Sequence, residues 1–345
     1  DVCSSDLEAT LLSTNPDFRL GGTFANCRAL SKVILPSTTT YLGEKVFYYC
    51  EALEQISIPD NVTTLGNEAF RLCASLKSMD LPDGITTIGE RCFQQCSSLE
   101  SVVLGSQLFT IGKNTFEECT ALKSVQLPSA AIQLPSGMFI RCTALESITI
   151  PEGVKYINGS CFLDCSQLQT VILPSTLKEL GGAAFANCTR LSNVTLPDGL
   201  TILGRLAFEN CKAITAMHIP ENIQEMGDNP FAGCSYLSRI TGKYSTTSGR
   251  CLVNGTTLLS AAIAGQEDNF VVPDGITQIG QYAFFDAETL TVGDRVFKKG
   301  DWVTVDGTTG NFLAGEAKMV DATFTDDFKK ILDWADENAK LISTQ

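Results

Sequence analysis

Fourteen cysteines and a single histidine, His218, are the side chains of this 345-residue chain best suited to ligating a metal or attacking a substrate. A structural zinc site needs paired ligands, and no C-x-x-C pair occurs anywhere. One histidine supports neither a His-based triad nor a two-His metal site. Carboxylates are plentiful, but acid–base work needs a cleft to hold a substrate between them, and a regular repeat implies none. Ten cysteines, from Cys27 through Cys50 and Cys73 to Cys234, recur at one stride, each three residues after a Phe. A position filled by Cys in successive repeats behaves as a small buried hydrophobe. Neighbouring thiols of that kind come close, but parallel side chains have the wrong mutual orientation for a bridge. Cys92 and Cys161 precede Phe where Ala or Thr stand in other repeats, so they read as packing too. Neither a catalytic residue, a metal site nor a cofactor is expected.

The elements that position these residues are set by the repeat. Phe stands at 24, 47, 70, 93, 116, 139, 162, 185, 208 and 231, always 23 residues apart. The full unit reads L-x-x-V-x-L-P, a turn, then I/L-G-x-x-x-F-x-x-C, as in "LESITIPEGVKYINGSCFLDC". Its departures are Gly105 in place of Pro, and Pro135 and Asn158 in place of Gly. Alternating apolar residues give one short strand per repeat with one face inward, and Pro36, Pro59 and Pro82 end it because Pro donates no ladder hydrogen bond. Gly43, Gly66, Gly89 and Gly112 stand where the chain turns back, a place suited to glycine's permissive backbone. A period in the twenties with a strand in each unit predicts a leucine-rich repeat solenoid with a parallel sheet. Stacked at about 4.8 Å, roughly eleven coils make one core about 50 Å long with Phe as its spine. Opposite charges at Glu54, Lys77, Glu100 and Lys123 fall side by side in that stack.

"TTIGERCFQQCSSLESVVL" and "TILGRLAFENCKAITAMHIP" resemble the BspA-like leucine-rich repeats of bacterial surface proteins, over about residues 20 to 285. The resemblance implies extracellular or cell-surface display and adhesion or protein binding, and it brings no catalytic motif. A host or matrix protein is the expected partner. The net charge of −14 repels phosphate backbones and argues against nucleic acid, and no run of apolar residues is long enough to span a membrane. The expected binding surface is the exposed strand face, where Ile34, Ser57, Asp80, Val103, Gln126, Thr149, Ile172, Thr195 and His218 form one row.

Four boundaries are expected along the chain. Residues 1–7, DVCSSDL, resemble the translated read-through of a sequencing-library adapter, which would place Cys3 and the present N-terminus outside the natural protein. The solenoid occupies 8–285. It is interrupted at about 242–268, where Asn254-Gly255 between apolar runs predicts a β-hairpin, and Phe284 resumes the repeat. From 286 to 345 the rhythm is gone. Turn signals at Gly293-Asp294, Lys299-Gly300 and Asp306-Gly307 predict short strands, and Phe328, Ile331, Leu332 and Ala335 share one face of a helix capped by Thr325. "GDWVTVDGTTG" resembles a fragment of pyruvate, phosphate dikinase, from the exit of its phosphohistidine domain. That family's catalytic residues lie outside the resembling stretch, so none transfers to a position here. An artificial joining, a natural fusion and a solenoid cap that mimics the dikinase all account for this tail. A phosphotransferase fragment carrying a solenoid is the alternative to a non-enzymatic binding module.

Overall fold

A computed structural model of the chain describes residues 8–261 apart from 12, 14, 16 and 17, together with 275–276, 278–279, 289–292, 295–298, 303–306 and 311–314. Residues 1–7, the repeat resumed at Phe284 and the helix expected over Thr325 to Ala335 lie outside the described residues.

The described repeats stack as a solenoid of parallel strands in which each residue meets its equivalent one coil away. Ser78 pairs with Ser101, Val102 with Val125, and Thr87 with Thr110, so the register follows the repeat of the text. Most coils contribute two strands where the sequence reading gave one. Ser78–Asp80 is followed by Thr87–Ile88, and Ser101–Val103 by Thr110–Ile111. The second strand occupies the segment read as a turn. It forms because its alternation is also one-sided, with Ile88 buried and Thr87 turned outward, and because its backbone bonds to the coils on either side. Beyond the repeats, Cys251–Asn254 and Thr257–Ala261 pair antiparallel around Asn254-Gly255, and Thr257 and Leu258 also pair in parallel with Gln278 and Ile279. Thr289–Val292 pairs antiparallel with Arg295–Lys298, and Val303–Asp306 with Asn311–Ala314.

All ten rings from Phe24 to Phe231 are buried and stack in sequence, with centroids 5.0–5.6 Å apart and planes within 25° of parallel. The N–H of Phe116 donates to the carbonyl of Met138 in the next coil at 2.9 Å, and the same bond recurs from Phe47 to Phe208.

The cysteines are more than small hydrophobes. The carbonyl of Phe47 accepts the N–H of Cys50 in its own coil at 3.2 Å and the thiol of Cys73 in the next, also at 3.2 Å. This thiol bond is made by each ladder cysteine from Cys50 to Cys234. The position therefore wants a small side chain that can satisfy a buried carbonyl's second lone pair, a combination that Ala lacks. Cys27, at the first rung, departs from the ladder: it is disulfide-bonded.

The glycines of the turn are required for space and not for backbone freedom. Gly43, Gly66, Gly89 and Gly112 do not have left-handed backbones. They are needed because the coils touch there: a Cβ on Gly112 would lie 2.4 Å from the amide nitrogen of Glu90 and from the carbonyl carbon of Gly89. Left-handed conformations occur at many non-glycine positions, including the residue before each ladder cysteine from Cys27 to Cys211, such as Tyr49, Leu72, Asn187 and Asn210. Gly112→Ala must push one coil's backbone off another's, a change expected to cost about 1–3 kcal/mol. Gly21→Ala, with nothing within 4 Å of the added methyl, is expected to be nearly neutral. Equilibrium urea unfolding of both variants checks this, and equal losses would refute the close-approach account.

Pro135 also has a structural consequence. The glycines at its equivalent positions donate across the stack, as Gly112 does to Ile88 and Gly181 to Ile157. Proline has no N–H to give to Ile111, and the sheet of second strands divides between Thr110–Ile111 and Gln133–Leu134.

Candidate functional site

In the three-residue first strands the central side chain points inward and its neighbours point out. Met79, Val102, Ile148 and Val171 are buried, while the residues before and after them face away from the core. The row expected as a binding surface follows from this alternation. All nine of its residues, from Ile34 to His218, are exposed, one to a coil. Asp80 meets Val103, Val103 meets Gln126, and Thr149 meets Ile172 by direct strand pairing. Ser57 lies one residue past the strand Gln55–Ile56, and Thr195 sits where the ladder narrows to a single bridge between Thr170 and Asn193.

The row is mixed in character. Ile34, Val103 and Ile172 are 50%, 38% and 56% exposed, and polar residues separate them. One step before the strands, the expected charge pairs form: Lys77 Nζ lies 2.9 Å from Glu54, and Lys123 Nζ lies 2.8 Å from Glu100. The bond from Lys123 holds the Glu100 carboxyl below its ordinary range. Both pairs are solvent-exposed, so they document register more than they hold the fold together.

Two surface features escaped the sequence reading. Phe109 and Ile132 occupy the same position in adjacent coils and are 60% and 58% exposed, with Tyr156 exposed in the following coil. They cover the second strands at the break caused by Pro135 and form a more contiguous apolar surface than the predicted row. Reading the text at a stride of 23 shows the pair, because the equivalent residues Thr63, Thr86, Lys155 and Lys178 are polar. The second feature is a polar ladder that runs from Gln95 to Asn210 at the left-handed position before the cysteines. Gln95 bonds Glu118 at 2.8 Å, Arg141 bonds Glu118 at 2.7 Å and approaches Asp164 at 3.5 Å, and Asn187 donates to Asp164 at 2.7 Å and accepts from Asn210 at 2.9 Å. The hydrogen bonds from Gln95 and Arg141 draw the Glu118 carboxyl below its usual range.

His218 closes the predicted row. Its Nδ1 lies 3.1 Å from the hydroxyl oxygen of Thr241 in the next coil. With Thr195 it borders a shallow depression of about 420 Å³ that is also lined by Val194, Leu196, Ala216, Met217, Arg239 and Thr241. Among the described residues no group of three or more His, Cys, Asp or Glu side chains is placed to hold a metal ion. The free thiols are buried, and burial pushes Cys50, Cys96 and Cys234 up to about 12, away from the thiolate form that attacks or ligates.

Comparison with known proteins bears on both parts of the chain. The pneumococcal vaccine antigen PcpA is 20% identical, with a TM-score of 0.54 over 98% of this chain and 79% of that one, a likeness of fold. A leucine-rich repeat protein from Bacteroides ovatus is 22% identical over 82% of this chain and 94% of its own, with a TM-score of 0.47. The pyruvate, phosphate dikinase of Rickettsia felis is 46% identical over 54 residues, which are 16% of this chain and 6% of the dikinase. The chain thus spans a small fraction of the curated dikinases it matches. Residues 21–146 and 132–250 match the family described as BspA type Leucine rich repeat region. The stacked Phe and Cys ladders run through those same residues, and the chain belongs to the BspA-type leucine-rich repeat family.

Proposed function

We propose that this chain is a non-enzymatic binding module, secreted or displayed at a bacterial surface, that holds a protein partner along its first-strand face. The observation that carries the reading is the row from Ile34 to His218: nine exposed side chains on stacked coils, including three large apolar residues left open to water. A stacked core fixes the spacing of such a row before any partner arrives, so little ordering entropy is lost on binding. Family membership and the likeness to a vaccine antigen support an extracellular setting. The dikinase-like tail adds no histidine to the chain, whose one histidine lies in the strand row.

The test is capture of extracellular-matrix and host-surface proteins by the immobilised full chain. Replacing Ile34, Val103 and Ile172 together by Asp is expected to weaken a captured partner at least about tenfold, while Phe109→Asp leaves it unchanged. Capture lost in Phe109→Asp and kept in the triple variant would move the site to the second-strand face. Phosphohistidine formed on incubation with phosphoenolpyruvate would overturn the non-enzymatic reading.

A further inference from the structure

The first-strand face changes character along the stack. In its earlier coils the strand and the residue before it carry Lys32, Glu54, Lys77, Asp80, Glu100, Lys123 and Glu146. Over the four coils before the insertion the equivalent stretches, 169–172, 192–195, 215–218 and 238–241, contain no carboxylate at all. Their one permanent charge is Arg239. Along the chain the next carboxylates, Asp198 and Glu221, come only after Pro197 and Pro220, which follow the strand positions. In a chain of net charge −14, four successive stretches without a carboxylate make this the part of the face where a cation stands without acidic neighbours on the strands.

Arg239 is exposed and makes no ion pair among the described residues. It lines the depression together with Thr195, His218 and Thr241. Contact between His218 Nδ1 and Thr241 orients the imidazole and leaves Nε2 as its second hydrogen-bonding nitrogen. The apolar residue that faces outward beside them is the small Ala216, while Met217 and Leu196 border the depression with their side chains buried in the core. A shallow surface with little side-chain bulk at Ala216, a few polar groups and one guanidinium fits a carboxylate side chain, because the guanidinium fork matches the two carboxylate oxygens.

We propose that this depression is the anchor point for an acidic side chain, Glu or Asp, of the protein partner, with Arg239 as its counter-charge and His218 and Thr195 as further hydrogen-bonding groups. The proposal names the partner chemistry at one end of the first-strand face and rests on reading that face as the binding surface.

The single histidine supplies a direct reporter. The untagged full chain, labelled with ¹³C at histidine, is titrated with the peptide acetyl-Ala-Ala-Glu-Ala-Ala-amide and with its Gln counterpart, while the ring signal of His218 is followed. The Glu peptide is expected to shift that signal saturably, the Gln peptide to bind at least about tenfold more weakly, and Arg239→Gln to abolish the preference. Arg239 is exposed, so the variant keeps the backbone spectrum of the parent. Equal shifts from the two peptides, or an undiminished Glu preference in Arg239→Gln, would refute the anchor. This outcome is independent of the capture experiment: a strand face that captures no protein can still show the Glu preference, and a face that captures one can lack it.

Discussion

Raising the pH from about 8 to about 10 is expected to strip this solenoid of most of its stability, a larger effect than any single substitution proposed here. The cause is the stack of neutral thiols. Burial pushes Cys50, Cys96 and Cys234 up to about 12, and Cys119 and Cys142 rise for the same reason. In the unfolded chain those thiols titrate near 8.5. Above that pH the unfolded chain releases protons that the folded chain retains, so the equilibrium moves toward unfolding. The thiol contribution is complete below about 8.5 and is lost as pH climbs toward the folded values, at up to ~1.4 kcal/mol per thiol per pH unit. With several rungs opening together, the sum by pH 10 is of the order of the ~5–15 kcal/mol that holds an ordinary domain folded. Urea midpoints measured across this range test the idea. Tyr and Lys also titrate near pH 10, so the decisive comparison is the slope: Cys119→Ala with Cys142→Ala removes two thiols and is expected to flatten the alkaline decline. A midpoint level to pH 10, or an unchanged slope in the double variant, would defeat the account.

The physics of the repeat explains which features the sequence made legible. Stacking makes each coil the neighbour of its own copy, so the Phe spine, the parallel register and the Glu54–Lys77 pairing are visible as recurrences in the text. What could not be seen were properties that depend on where backbones meet. Gly112 looks like a turn residue until the amide of Glu90 is found where its Cβ would stand. The thiol bond from Cys73 to Phe47 crosses between coils, and an apolar ladder gives no sign of it. The second strand was missed because two residues are too few to show a period, although Thr64-Leu65 and Thr87-Ile88 align when coils are compared. In the candidate site the nine exposed residues were predictable from strand alternation, since the faces of a strand alternate strictly. The depression beside His218 was not: it needs Arg239, which lies one coil beyond the predicted row, and the small Ala216 that leaves the space open.

Phe116→Ala carries the second large effect. Its ring is fully buried between Phe93, at 5.4 Å, and Phe139, at 5.6 Å, so truncation empties a volume bounded by aromatic rings on both sides. Buried Phe→Ala changes cost about 3–5 kcal/mol, and a rigid stack collapses poorly into the space left behind. Location matters as much as size. In a solenoid each coil is stabilised by its two neighbours, so a weak rung in mid-stack lowers the coupling between the halves as well as the stability of one coil. Phe24 stacks on Phe47 at 5.4 Å, with no further described ring on its other side. Phe24→Ala is therefore expected to cost less and to leave one cooperative transition, whereas Phe116→Ala is expected to divide unfolding into two. Hydrogen exchange resolved by coil would place the boundary at Phe116. A Phe24→Ala variant that loses as much as Phe116→Ala, or a Phe116→Ala variant that still unfolds as one unit at nearly the parent's midpoint, would show that the rings do not act as a continuous spine.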